Sequence, residues 1–151
     1  MEVTQTLEQI LLDPARRPTV VSDLTELVDS EVSGKSGVSG ALVKTGYAAA
    51  KKLRPSIVPS AVDKLLGEFT GALEPFYADY RATSGGDFGD YLAGCPEAAG
   101  ALLKVTDTRA ERSPSETLKS AYGKLRPHGE RNVQEALPQL GRLIDKHAAA
   151  S

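Results

Sequence analysis

Apolar residues recur along this chain mostly at three- and four-residue intervals, and strict alternation of apolar and polar residues is not sustained anywhere. The first pattern is typical of an α-helix that buries one face, and the second of a half-buried β-strand. Residues 20–32 give the clearest case, since six apolar side chains share one helical stripe and acids occupy the opposite face. The pattern therefore predicts an all-α protein.

Prolines and capping residues divide this pattern into about six to eight helices. Proline removes a backbone donor and clashes with the preceding turn, so Arg54-Pro55 and Arg126-Pro127 are expected to end helices. For the same reason Pro75 and Pro138 are expected to kink or bend theirs. Ser113 is expected to open a capping box. The predicted helices lie near 4–12, 20–32, 34–53, 60–80, 88–92, 96–106, 114–126 and 130–148.

The length and composition predict a single compact helical bundle. A chain of 151 residues that is 40% hydrophobic can bury its own core, so we expect one domain over residues 1–151 with a frayed tail at 148–151. Aromatic residues make up only 5% of the chain and Trp is absent. The core is therefore expected to consist of closely packed Leu, Val, Ile and Ala.

Gly34-Lys35-Ser36 looks like the end of a phosphate-binding loop. Such a loop needs a glycine five residues earlier, and it follows a buried strand. Asp29 occupies that position, and the preceding residues have helical spacing. A nucleotide-binding loop is therefore excluded.

The glycines of this region fit a helix better. Ser33, Gly37, Ala41, Thr45 and Ala49 are spaced four residues apart. Three glycines inside a helix cost about 2–3 kcal/mol relative to alanine, so an offset is required. Close approach of a neighbouring helix would supply it. We therefore predict a small-residue central helix near 34–53.

The charges form alternating blocks. Residues 1–31 hold seven acids and two bases, whereas residues 32–62 hold five bases and no acid. Pairing between these two blocks is the favoured interpretation. The alternative is an anion site at the start of the 34–53 helix and along it, because free N–H groups and cations attract anions. Its candidate residues are Lys35, Ser36, Lys44, Lys51, Lys52 and Arg54.

The remaining chemistry-bearing residues predict no catalytic, cofactor or metal site. His128 and His147 lack the spacing of metal ligands and are expected at the surface or at helix ends. Cys95 precedes a helix start, but a structural thiol is favoured over a reactive one. Asp87 and Asp90 do not have the spacing of a calcium loop, and Asp87 is expected to cap a short helix. The N-terminal residues do not resemble a signal peptide, and no apolar run is long enough to cross a bilayer, so a cytoplasmic location is expected.

Three short motifs carry a resemblance to a known family. They are Val-Ser-Gly-Lys-Ser-Gly at 32–37, Lys-Thr-Gly-Tyr at 44–47 and Lys-Leu-Arg-Pro at 52–55. Residues 19–69, which contain them, resemble a family of small uncharacterised proteins of actinobacteria. The resemblance implies a helical fold and a cytoplasmic actinobacterial context, and it implies no site residues.

Two functional classes follow from the sequence. The favoured one is a non-enzymatic cytoplasmic interaction protein that binds a protein partner or associates with itself. The alternative is a binder of an anionic ligand, namely a phosphorylated molecule, nucleic acid or acidic lipid surface, through residues 35–54. An enzyme is not excluded, but no residue is assigned to catalysis.

Overall fold

The computed structural model of the protein describes residues 6–34, 37–83 and 86–150, and this part of the chain contains helices and no strand. The predicted all-α class and the number of helices are confirmed. The seven described helices are α1 (Leu7–Leu11), α2 (Arg17–Ser33), α3 (Gly37–Leu53), α4 (Ile57–Thr83), α5 (Phe88–Ala93), α6 (Glu97–Glu111) and α7 (Glu116–Ala150).

Local hydrogen bonds explain where three of these helices begin. Thr6 and Gln9 form a reciprocal capping box at α1. The Asp87 carboxylate accepts a hydrogen bond from the Asp90 backbone at α5, which confirms the predicted cap. At α7 the prediction is wrong by two residues, because the cap is the Ser115 hydroxyl, which accepts from Leu118 N at 3.2 Å. Ser113 instead accepts a hydrogen bond from the backbone of Ser115.

The predicted break at Pro127 is also wrong. One 35-residue helix, α7, runs through both Pro127 and Pro138, and α4 likewise runs through Pro75. A proline inside a helix costs about 3 kcal/mol. Because α7 packs against five other helices, tertiary contacts offset that cost. Pro55 is exposed just beyond the last residue of α3. The predicted helix end at Arg54-Pro55 is therefore confirmed.

The core is built from the inward faces of all the described helices except α3. Its fully buried large side chains are Leu7, Ile10, Val20, Leu66, Phe88, Leu92, Leu137 and Ile144. Phe88 also joins four of the eight aromatic residues into one cluster, with its ring centroid 5.0 Å from that of Tyr77 and 5.2 Å from that of Tyr80. The short helix α5 thus anchors the centre of the bundle.

Two glycines allow the backbones of α5 and α7 to approach so closely that neither position has room for a side chain. A Cβ atom added to Gly141 would lie 2.6 Å from the Phe88 carbonyl oxygen, and one added to Gly89 would lie 2.8 Å from that of Pro138. At this crossing the Asp145 carboxylate accepts hydrogen bonds from Phe88 N, at 3.0 Å and 3.2 Å. An acid of α7 therefore stabilises the first turn of α5.

The predicted central position of the 34–53 helix is wrong. Gly40 is the only described residue of α3 that is buried, and the small residues Gly37, Ala41, Thr45 and Ala49 are all exposed. Gly37 has a positive φ of 75°, and a Cβ there would meet nothing within 4 Å.

One glycine of α3 does permit a close approach. A Cβ on Gly46 would lie 3.0 Å from a Leu125 methyl group of α7. The central position of the 34–53 helix was wrongly predicted because small residues are compatible with an exposed helix face as well as with a closely packed one.

The predicted position of His147 near the end of a helix is confirmed, but its predicted surface location is wrong. Its side chain is only 5% exposed, and its Nε2 lies 2.8 Å from Asp23 Oδ2. Lys146 Nζ lies 3.0 Å from the same oxygen. These contacts join α7 to α2. His128 is half-buried within α7, because this helix continues through Pro127.

We expect Gly141→Ala to lower the free energy of unfolding by at least about 2 kcal/mol, because its methyl group would overlap the backbone of α5. The melting temperature should fall by about 2–4 °C for each kcal/mol. Gly67→Ala is the matched control. Gly67 lies inside α4 with open space around it, so alanine there should stabilise by about 0.5–1 kcal/mol. Equal melting temperatures for the two variants would contradict the crossing.

We expect Asp23→Ala to cost about 1–3 kcal/mol, because it leaves the buried His147 ring without its acceptor. Asp63→Ala is the control. It removes the ion pair of Arg17 with a carboxylate that is 56% exposed, and such pairs contribute at most about 1 kcal/mol. Chemical denaturation measures both changes.

The effect of Asp23 should depend on pH in a defined direction. Burial raises the pKa of Asp23, but hydrogen bonds from Lys146 and His147 outweigh burial and hold this pKa below its usual value. The stability that the Asp23 carboxylate contributes is therefore complete at neutral pH and is lost as the pH falls through the lowered pKa. An Asp23→Ala deficit that persists unchanged below that pKa would contradict this account.

Candidate functional site

Four of the residues predicted as an anion site lie on or just beyond α3 in the described part of the chain. Lys44, Lys51 and Lys52 line one shallow groove, which they share with Asp29 and Tyr47. Arg54 is exposed just beyond the end of α3, and Lys35 and Ser36 lie outside the described residues. The structure thus brings three of the six candidates together.

One carboxylate of α2 organises this groove. The Tyr47 hydroxyl donates a hydrogen bond to Asp29, and Lys51 Nζ lies 3.7 Å from Asp29 Oδ1. The same ammonium lies 5.2 Å from the centroid of the Tyr47 ring. Burial, and then the hydrogen bond to Asp29, raise the pKa of Tyr47 well above its usual value, so Tyr47 stays a neutral donor.

Pairing between the acidic and basic blocks is therefore partial. Lys51 pairs with the acidic helix, whereas Lys44, Lys52 and Arg54 form no ion pair within 4 Å in the described part of the chain. All three of these unpaired cations are exposed. The surface of α3 consequently keeps a positive charge that no carboxylate within the described ranges neutralises.

A second contact of the same kind, in which one carboxylate binds a tyrosine and a cation of the following helix, joins α6 to α7. We call each of these two contacts a clasp. The sequence pattern predicted neither of them. The Asp107 carboxylate accepts hydrogen bonds from the Tyr122 hydroxyl and from Arg126 Nε at 2.8 Å. The bond from Arg126, and then that from Tyr122, hold the pKa of Asp107 below its usual value. In both clasps a tyrosine precedes a cation by four residues, which places the two side chains on one helix face.

An apolar cleft with a volume of about 280 Å³ lies between α3 and the main core. Fifteen residues from five helices line it, and twelve of these are apolar. They are Leu24, Leu27, Val28 and Val32 of α2, Val43 of α3, Val62 and Phe69 of α4, Leu102 and Leu103 of α6, and Val133, Ala136 and Leu140 of α7. The hydrophobic pattern predicted that most of these side chains point inward, but it did not predict a gap among them.

The polar groups of the cleft are few and chemically distinct. Thr106 Oγ1 is engaged with the Leu103 carbonyl and the Tyr122 hydroxyl, at 2.9 Å and 2.7 Å. The half-buried Glu31 contributes a carboxylate, and the half-buried Asn132 contributes an amide. Water in the cleft therefore meets a polar side chain at three of fifteen positions, and water with so few partners is easily displaced.

The cleft is open to the surface, because ten of its twelve apolar lining residues are only half-buried. Solvent therefore reaches it when no ligand is bound, and an apolar occupant would make dispersion contacts with the lining that water does not.

Cys95 has the surroundings of a structural thiol. It is half-buried, and its Sγ donates a weak hydrogen bond to Glu97 Oε2 at 3.4 Å. Burial, followed by the nearby Glu97 carboxylate, raises the pKa of the Cys95 thiol, which disfavours the reactive thiolate.

Two negative findings apply to residues 6–34, 37–83 and 86–150. No three His, Cys, Asp or Glu side chains there are grouped so that they could hold a metal ion. No helix there combines the length and the apolar character needed to cross a bilayer.

These features define a small all-α protein with a basic groove and an apolar cleft. The chain matches a family of unknown function, DUF6918, over residues 7–148, and it belongs to that family. The resemblance to a family without an assigned activity is thereby confirmed, and it extends well beyond residues 19–69. Comparisons with curated proteins and with solved structures give no match.

Proposed function

We propose that this chain is a non-enzymatic interaction protein and that the outward face of α3 is its contact surface. This face consists of Ala41, Leu42, Thr45, Ala48 and Ala49, all of which are exposed. The observation that carries the proposal is Leu42. Its side chain is 40% exposed, and no other large hydrophobic side chain in the described part of the chain is as exposed to solvent.

The surroundings of Leu42 support a contact with another macromolecule. A surface helix normally turns polar residues outward. On this face α3 instead turns outward small residues and a leucine, and its exposed lysines lie beside that face. A groove continues this face toward α7, where it is lined by Ala121 and Leu125. Contiguous apolar surface with a polar rim is typical of an interaction site.

Charge favours a second copy of the same chain as the partner. Lys44, Lys52 and Arg54 flank the contact surface, and residues 63–111 carry nine acids against four bases. Three of these acids, Asp87, Asp90 and Glu97, are exposed around α5. One copy can therefore offer acids to the cations of another, and an association of this kind weakens as salt rises.

We extend the proposal to the setting of the protein. One helical domain over residues 1–151, acting in the cytoplasm of an actinobacterial cell without a cofactor, fits the resemblance of residues 19–69. Contact with nucleic acid or an acidic membrane is disfavoured, because the chain has a net charge of −2.

Sedimentation equilibrium tests self-association. We expect the average mass of the wild type to rise with concentration at about 0.05 M salt and to fall back at about 0.5 M. Leu42→Glu should remain monomeric, because it places a charge in the apolar contact. Ala82→Glu, which adds the same charge at an exposed site near the end of α4, should behave like the wild type. A wild-type chain that stays monomeric at low salt and millimolar concentration would contradict self-association.

The alternative function is the binding of an anion by Lys35, Ser36, Lys44, Lys51, Lys52 and Arg54. It is favoured by one observation, the shared groove of Lys44, Lys51 and Lys52. Electrophoretic mobility shifts with nucleic acid, and flotation with acidic liposomes, measure it at two salt concentrations. We expect Lys44→Glu with Lys52→Glu to abolish such binding, since both cations are otherwise unpaired. Absence of binding by the wild type at low salt would exclude this alternative.

A further inference from the structure

We infer that the apolar cleft beneath α3 is a binding site for a neutral, apolar small molecule that carries one hydrogen-bonding group. This site is separate from the outward face of α3 proposed as the contact surface. Nothing in the inference depends on self-association.

The position of the cleft supports binding within the fold. Its floor is formed by Leu102 and Leu103 of α6, which are 9% and 6% exposed. The other apolar lining residues are only half-buried, so the cleft is accessible from the surface beside α3. Val43 of α3 closes one side. An occupant would thus be surrounded by five helices, whereas a ligand on an open surface touches one or two.

The size of the cleft favours a small molecule over a protein partner. A volume of 280 Å³ has room for on the order of nine water-sized groups, and it lies just below the usual range for ligand pockets. The cleft has fifteen lining residues, whereas a stable protein interface involves about 20–30 residues on each side. A short alkyl chain or a small ring system fits, and a folded partner does not.

The apolar lining disfavours a charged ligand. Twelve of the fifteen lining residues are apolar, so an ionised head group of either sign would lose its hydration there without enough polar partners to compensate. Thr106 already has two partners. The Asn132 amide has no hydrogen-bond partner within the described ranges, and it offers both a donor and an acceptor. A hydroxyl or carbonyl group on the ligand is therefore the complementary chemistry.

A titration with 1-decanol tests this inference on the full chain. We expect saturable changes in the amide and methyl resonances of cleft residues, with a Kd below about 1 mM. Decanoate, which has the same alkyl length and an anionic head, should bind at least about tenfold more weakly. Decyltrimethylammonium gives the corresponding cation. Tighter binding of either ion than of 1-decanol would overturn the inferred neutral ligand.

Two variants from opposite sides of the cleft locate the site. Ala136→Leu on α7 and Val43→Phe on α3 both fill the space, and each should lower the affinity for 1-decanol at least about tenfold. Ala149→Leu makes the same change as Ala136→Leu at an exposed position of α7 and should leave the affinity unchanged. Melting curves establish that each variant is folded.

A third variant tests the polar contact. Asn132→Leu should weaken binding of 1-decanol by about threefold to tenfold, the worth of one hydrogen bond. It should not weaken binding of decane, which makes no such bond.

Three results would overturn the inference. The first is the absence of saturable binding of 1-decanol by the wild type. The second is an unchanged affinity in both folded cleft-filling variants. The third is a set of cleft resonances that respond to protein concentration and not to 1-decanol, because a second copy would then cover the cleft. The sedimentation experiment reads out mass independently, so the inference and the proposed self-association can fail separately.

Discussion

The backbone contact between Gly89 and Gly141 is the constraint on which the centre of the bundle depends. Without Cβ atoms on either residue, α5 lies directly against α7. That proximity brings Asp145 within hydrogen-bonding distance of the first turn of α5, and it directs Phe88 into the aromatic cluster. A chain with only 5% aromatic residues thereby concentrates four of them at one crossing. The packing of α7 along its length in turn offsets its two internal prolines.

The helices farther from this crossing are fastened by polar contacts. Asp23 joins α2 to α7 through Lys146 and His147, and the carboxylates of Asp29 and Asp107 each hold a tyrosine and a cation of the following helix. The α2–α3 hairpin relies on such a clasp more than the others do, because no described side chain of α3 belongs to the main core. Because α3 is held mainly along its inner edge, its outward face packs against no other helix in the described part of the chain. A cleft also remains between α3 and the main core.

Periodicity predicted most of the fold because burial imposes it. The stripe on α2 and the cap at Asp87 depend on residues close in sequence, and both predictions are confirmed. The failures concern energies that arise between distant segments. Pro127 would end an isolated helix, but the packing of α7 against its neighbours allows this helix to continue through Pro127. His147 has the sequence position of a residue that stabilises a helix end, and only the three-dimensional fold brings Asp23 to it.

The glycines show the same limit most clearly. Gly37 and Gly141 cannot be distinguished by residue type, and the small residues spaced four apart pointed to α3 as the packed helix. The close crossing lies instead at Gly89 and Gly141. Gly89 lies four residues from Gly85 and Ala93, but Gly141 has no small residue four positions away on either side.

A cleft is harder still to infer, because it is a difference between the volume that the backbones enclose and the volume that the side chains fill. The pattern identifies Val28, Val62 and Val133 as inward-facing, but three inward-facing valines can close a core or line a gap. The distance between the helices determines whether these valines close a core or line a gap. The clasps and the glycine crossing set that distance.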